Sequence, residues 1–131
     1  MSVYGWIIIH QRVGHTFNWN MPWSNYKNGF GSIDADFWLG LKKIHPLTKS
    51  QPYRLRVELQ QESTNRWYSA EYWSFRVGNE AEERYRLYVA HYSGDAGDKL
   101  NYHYGMHFTT RDRDNDQRTE YNCASSRGGG W

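Results

Sequence analysis

Three stretches of this chain alternate apolar and polar residues with a period of two, and that pattern constrains the fold more than any other feature. Tyr53, Leu55, Val57 and Leu59 alternate with Arg54, Arg56, Glu58 and Gln60; Trp73, Phe75 and Val77 alternate with Ser74 and Arg76; Tyr85, Leu87 and Val89 make a third set. Period two belongs to a strand with one wet face. Ser63-Thr64-Asn65 and Gly78-Asn79 punctuate the stretches. Connections this short exclude parallel crossovers, which need roughly a dozen residues or more. An antiparallel meander is expected.

Upstream, Trp6-Ile7-Ile8-Ile9 reads as a strand buried on both faces, and His15 to Pro22 as an aromatic loop. Ser24 is placed to cap a brief helix, SNYKNGFG, with Gly29 or Gly31 permitting a left-handed exit. A second helix is expected from Asp34 or Asp36, with Phe37, Leu41 and Ile44 on one face and Pro46 ending or kinking it. Trp6, Trp23, Trp38 and Trp73 are assigned to the core. After Tyr92 the periodicity fades into a Gly-, Asp- and Asn-rich region of the kind that forms functional loops. The class is α+β: a central antiparallel sheet with short flanking helices.

A length of 131 residues suits one domain. With 7 Trp, 11 Tyr and 5 Phe the protein favours aromatic bodies with polar tips over an aliphatic interior. The 16 basic and 14 acidic residues are well mixed, which argues against a nucleic-acid partner. No apolar run approaches the ~20 residues of a membrane span. The N-terminus lacks the basic flank and long apolar run of a signal peptide, so in an exported protein the signal is removed or lies upstream. No Ser/His/Asp or Cys/His motif appears, and the residues support no enzyme.

The chemistry concentrates in Arg111 to Trp131. Asp112, Asp114 and Asp116 alternate along it, and the one cysteine follows at Cys123. Calcium takes about 6–8 oxygen ligands in a flexible loop, and carboxylates at i and i+2 can converge on one ion. An EF-hand is excluded, because counting from Asp112 puts Gln117 at the glycine position and Cys123 at the bidentate-glutamate position. Spacing alone serves calcium and a solvated turn, its aspartates paired with Arg111, Arg113 and Arg118, equally well. His103 and His107 could hold zinc only on a helix, and Gly105 lies between them. Tyr102, His103 and Tyr104 are candidates for stacking on a sugar, with turn packing as the competing role.

The order and spacing of several motifs now carry a resemblance. Tyr26-Lys27-Asn28-Gly29-Phe30-Gly31, Phe37-Trp38-Leu39-Gly40-Leu41, Tyr53-Arg54-Leu55-Arg56-Val57, Tyr92 to Asp98, Asp112 to Asp116 and Asn122-Cys123-Ala124 together resemble the fibrinogen C-terminal globular domain, also called the fibrinogen-related domain. The resemblance implies a secreted, extracellular, non-enzymatic recognition module. It splits the protein into helices plus central sheet (1–92) and the start of a calcium and ligand subdomain (93–131). It implies Ca2+ held by Asp114, Asp116 and the backbone carbonyl of Arg118, with Asp112 more peripheral. It also implies that Cys123 forms a disulfide with a cysteine outside this sequence, since the family's domain is longer at both ends. The expected function is calcium-assisted, lectin-like binding of acetylated or other glycans in innate-immune recognition. The alternative is a protein-binding or structural domain within an oligomer or a larger multidomain protein. The sequence departs from the family in having one extra residue between Asp116 and Cys123, and Tyr121 where a glycine is common.

Overall fold

The three alternating stretches form a three-stranded antiparallel sheet. In the computed structural model, which describes residues 2–3 and 5–131, five short strands precede it. β1 (Ser2–Val3) pairs with β2 (Trp6–Ile7), while β3 (His10–Gln11) and β4 (Phe30–Gly31) flank β5 (Phe37–Trp38). The central sheet comprises β6 (Tyr53–Gln60), β7 (Trp67–Val77) and β8 (Leu87–Gly94), in that order. It is the meander that the alternation predicts. Among the described residues no helix is long and apolar enough to cross a membrane.

Several local expectations are corrected. The Trp6–Ile9 run is not one buried strand: it divides between β2 and a loop, Ile7 is 38% exposed, and Ile8 and Ile9 are half-buried. Ile9 packs against the core from the loop, while Ile7 faces outwards. The first helix, α1 (Trp23–Asn28), starts one residue before Ser24, and its N-cap is Pro22, whose side chain accepts no hydrogen bond. Gly29 does provide the positive-φ exit, at φ 97°. Phe37 and Trp38 belong to a strand, and the second helix, α2, runs over Leu41–Ser50. Gly40, at φ 104°, sets that start: a Cβ there would lie 2.6 Å from the Asn28 carbonyl carbon.

α2 continues through Pro46 instead of ending there. Proline removes one N–H and frees the carbonyl four residues back. Here that carbonyl belongs to Lys42, and both residues lie on the exposed face, where water can replace the missing donor. The opposite face buries Leu41, Ile44 and Thr48. α2 docks onto the end of β7 by hydrogen bonds as well as packing. Thr48 Oγ1 accepts from Val77 N at 3.0 Å, and His45 Nδ1 lies 2.8 Å from Val77 O.

A bulge in β7 overturns the assignment of Trp73 to the core. Tyr53 pairs with Phe75 but Leu55 pairs with Tyr72, so Trp73 and Ser74 together oppose Arg54. The neighbouring strand adjusts at the same row, where His91 adopts a positive φ of 58° between partners Ala90 and Tyr92. An extra residue flips the side-chain alternation. Ala70, Tyr72, Phe75 and Val77 therefore all face inwards, while Trp73 is 56% exposed with the Arg54 guanidinium 4.5 Å from its ring centroid. Trp23 and Trp38 are buried as expected, and Trp6 is half-buried.

The polar connection between β7 and β8 also folds, as a four-residue helix, α3 (Glu80–Glu83), capped by Asn79 Oδ1 accepting from Glu82 N at 2.8 Å. Elsewhere in the core, Phe108, 1% exposed, gathers the rings of Trp23, Tyr26, Trp38 and Trp131 at centroid distances of 6.3, 5.2, 6.1 and 4.9 Å. Phe75→Ala should destabilise by about 3–5 kcal/mol, as large-to-small core changes do. Trp73→Ala should cost about 1 kcal/mol or less, the range for exposed positions and a single cation–π contact. Equal losses in urea denaturation would place Trp73 inside and refute the bulge.

Candidate functional site

The acidic stretch forms a loop fastened at both ends to the aromatic core. Thr109 exchanges both backbone hydrogen bonds with Gly130, at 2.8 and 3.1 Å, and Thr110 does the same with Arg113, at 3.0 and 3.1 Å. Asn115 Nδ2 donates to Phe108 O at 2.9 Å, and Asn122 Nδ2 to Thr110 O at 2.8 Å. With these side chains replacing missing backbone partners, an irregular segment satisfies its buried polar groups.

The three aspartates have different roles within it. Asp112 Oδ1 accepts from Trp23 N at 2.8 Å and from Thr110 Oγ1 at 2.7 Å. It thus supplies to α1 the acceptor that Pro22 cannot, across 89 positions of sequence. A carboxylate at a helix N-terminus also complements the helix dipole. Asp116 accepts from Arg118 N through Oδ1 at 2.7 Å and from Cys123 N through Oδ2 at 2.8 Å, pinning the loop closed. Asp114 accepts from Asp116 N at 3.3 Å. Asp114 and Asp116 are brought together on one turn, whereas Asp112 faces α1.

The charge balance around the loop bears on the rival solvated-turn reading. Arg113 does not pair with an aspartate: its guanidinium stacks 4.2 Å from the Trp23 ring centroid and lies 3.5 Å from Glu80. Glu80 also accepts from Trp23 Nε1 at 2.9 Å and pairs with Lys27 at 2.6 Å. Among the described residues no ion pair engages Asp112, Asp114 or Asp116.

Burial raises the Asp116 and Asp112 carboxyls, but their hydrogen bonds outweigh it and hold both below the ordinary value, through Cys123 and Arg118 amides for Asp116 and through Thr110 and Trp23 for Asp112. Burial pushes the Cys123 thiol up, and the Asp116 carboxylate reinforces the shift. Cys123 is half-buried and has no disulfide partner among the described residues, and its raised thiol is not an activated nucleophile.

A calcium site needs oxygen donors with lone pairs to spare. Each Asp116 oxygen accepts one hydrogen bond, Asp114 accepts one in all, and the Arg118 carbonyl accepts none among the described residues. This all-oxygen set fits a hard cation in its chemistry. Among the described residues no three His, Cys, Asp or Glu side chains converge, so water and backbone carbonyls would have to complete the shell.

Tyr102 and His103 lie elsewhere, on a 3-10 turn at Leu100–His103 beside β8, with Tyr104 as the residue that ends it. Tyr102 is 75% exposed, and Tyr104 packs edge-on against Tyr88 at 5.9 Å. His107 bonds to Glu83 O and Arg86 instead of meeting His103 at a metal. The capping role of Asp112 and the Glu80 hub are not apparent in the sequence. One signal for the first is available: a helix led by proline, with no local cap, requires a distant acceptor.

Known proteins place this geometry in context. A family model described as fibrinogen beta and gamma chains, C-terminal globular domain, matches residues 1–131. Angiopoietin-related protein 1 of Mus musculus is 45% identical over 127 residues, covering 97% of this chain and 25% of that protein. The solved fibrinogen-like globe domain of human ANGPTL2 matches with a TM-score of 0.91 and 44% identity, over 97% of this chain and 58% of that one. Lamprey fibrin D-dimer, complexed with the peptide Gly-His-Arg-Pro-amide, matches at TM-score 0.82 and 36% identity, over 95% of this chain and 44% of that one. The present sequence thus spans about a quarter of the angiopoietin-related relative.

Because the Asp112 and Asp116 carboxyls are depressed on folding, their contribution is present above the ordinary carboxyl value of 3.8 and is lost as pH falls through the lower folded value. Denaturation followed against pH should show Asp116→Asn lowering stability at neutral pH and flattening the acid limb below about pH 4. An unchanged acid limb in the variant would remove Asp116 from this role.

Proposed function

The protein belongs to the fibrinogen C-terminal globular domain family, and from that membership we propose an extracellular recognition module that binds a protein or peptide surface with calcium as a structural aid. It acts by binding, not by catalysis. The observation that carries the reading is the likeness to a fibrin structure whose ligand is a peptide, supported by the angiopoietin-related relatives. These favour protein recognition over the lectin-like reading of acetylated glycans.

In this proposal Asp114, Asp116 and the Arg118 carbonyl hold Ca2+. The ion supplies positive charge that offsets two neighbouring carboxylates and draws their loop into one conformation. Asp116 keeps the loop closed on Cys123 while Asp112 anchors it to α1. A loop held in this way presents its exposed side chains with little ordering cost on binding. The rim available to a partner includes Tyr121, 55% exposed, and the open cleft between α3 and the loop, lined by Glu80, Arg84, Arg113 and Asp114.

Calcium at a hundred times its dissociation constant should stabilise the fold by about 2.7 kcal/mol, read as a rise in Tm that EDTA reverses. Asp114→Asn and Asp116→Asn should each abolish most of that rise; a rise equal to wild type in both would overturn the assigned ligands. Binding to arrayed cell-surface and matrix proteins should survive enzymatic deglycosylation of the array. Binding that vanishes on deglycosylation would return the function to glycans.

A further inference from the structure

The two edges of the central sheet differ. On the β8 side, Leu87 exchanges backbone hydrogen bonds with Gly105 and Met106, at 2.8 and 3.0 Å. On the other side β6 is the outermost strand, and among the described residues nothing hydrogen-bonds to its outward backbone groups. Register identifies those groups. Gln61 N donates to Arg66 O at 2.8 Å, and bonding alternates along an antiparallel pair, so Leu55, Val57 and Leu59 turn their N–H and C=O groups towards β7. Arg54, Arg56, Glu58 and Gln60 turn theirs to the open edge.

The same strand is incompletely covered on its inner side. Leu55 and Val57 are half-buried against the core, and Leu59, in the same inward row, is 53% exposed. The outer side carries charges of both signs: Arg56 pairs with Glu58 at 2.8 Å and also with Glu71. A strand of eight residues with an open ladder and an apolar row is a template for another strand. Its sequence is complementary to itself in one register.

We infer that β6 pairs antiparallel with β6 of a second copy of this chain about a dyad at Val57, joining the two central sheets into one. Residues directly opposite each other share a face, so the apolar row must meet the apolar row. With the dyad at Val57, Leu55 opposes the partner's Leu59 and Val57 opposes the partner's Val57 on the inner side. On the outer side Arg56 opposes the partner's Glu58 and Arg54 the partner's Gln60. The hydrogen-bonded pairs then fall on Arg54, Arg56, Glu58 and Gln60, whose backbone groups are the open ones. Moving the dyad to Arg56 sets two guanidinium groups against each other and places Pro52, which has no N–H, opposite Gln60. Moving it to Glu58 opposes two carboxylates. Like charges directly opposite are destabilising, which selects Val57. The contact is isologous: each copy covers the other's open edge, and association stops at a dimer. It uses no residue of the acidic loop and needs no calcium, so it stands apart from the proposed recognition of a protein partner.

The test is sedimentation of the whole 131-residue protein over a concentration series, with amide hydrogen exchange on the same samples. A monomer–dimer equilibrium indifferent to EDTA is expected. Exchange at the amides of Arg56, Glu58 and Gln60 should slow as dimer forms, while that of Val57, already bonded to β7, should not change. Glu58→Pro removes one outward N–H without removing a bond to β7, and should weaken dimerisation by about tenfold or more. Glu58→Arg should weaken it comparably. Combining Glu58→Arg with Arg56→Glu restores opposite charges in the Val57 register and in neither of the shifted ones, and should recover dimerisation to within about threefold of wild type. A protein that stays monomeric at every concentration would overturn the inference. So would association beyond a dimer, protection confined to residues outside β6, or a double variant that dimerises no better than Glu58→Arg alone.

Discussion

The packing of four aromatic side chains around Phe108 holds this molecule together. The ring is 1% exposed and touches residues drawn from α1, β5 and the C-terminal segment. Aromatic rings bring polar tips into a core, and each tip needs a partner. Trp38 Nε1 donates to Tyr26 O at 2.8 Å, Trp131 Nε1 to Tyr85 O at 2.6 Å, and Tyr26 OH to Trp19 O at 2.6 Å. Those acceptors are backbone carbonyls in turns and short elements, which would otherwise be left without partners. The same rings that exclude water thereby fix the irregular backbone around them.

That arrangement explains how a loop-rich region acquires a defined shape. The acidic loop begins immediately after Phe108, and Asn115 and Thr109 return its backbone to the core edge. Asp112 then couples the loop to the first helix, so loop order and helix order are not independent. Glu80 strengthens the link by joining Lys27 of α1, the Trp23 indole and Arg113 of the loop. The shape of the loop is thus set by the core.

Much of this is legible before folding. Alternation over Tyr53–Gln60 and Leu87–Val89 yields correct strands, and short turns yield their antiparallel order. The helix exit is expected at Gly29 or Gly31, and Gly29 is the one that caps α1 with a positive φ. The i, i+2 spacing of Asp114 and Asp116 suggests a shared turn, which the loop adopts. The failures share a cause. Trp73 is expected inside only if alternation continues through a bulge, and α2 is misplaced because Phe37 and Trp38 fit a helical spacing as well as a strand. Pro46 resembles a terminator because its solvent-facing position is invisible in the sequence.

Periodicity, turn chemistry and donor type are properties of neighbouring residues, and they are enough to establish an antiparallel sheet, its approximate strands and an oxygen-rich acidic loop. Strand register, the outward turn of Trp73 and the capture of Trp23 N by Asp112 depend on groups distant in sequence. Each arises when the folded backbone brings those groups together, and satisfying buried polar groups then takes precedence over local preference. The role of Asp112 shows the division best. Its carboxylate and its place in the acidic run are visible in the sequence, but its acceptor role exists only where a proline-led helix ends against the loop.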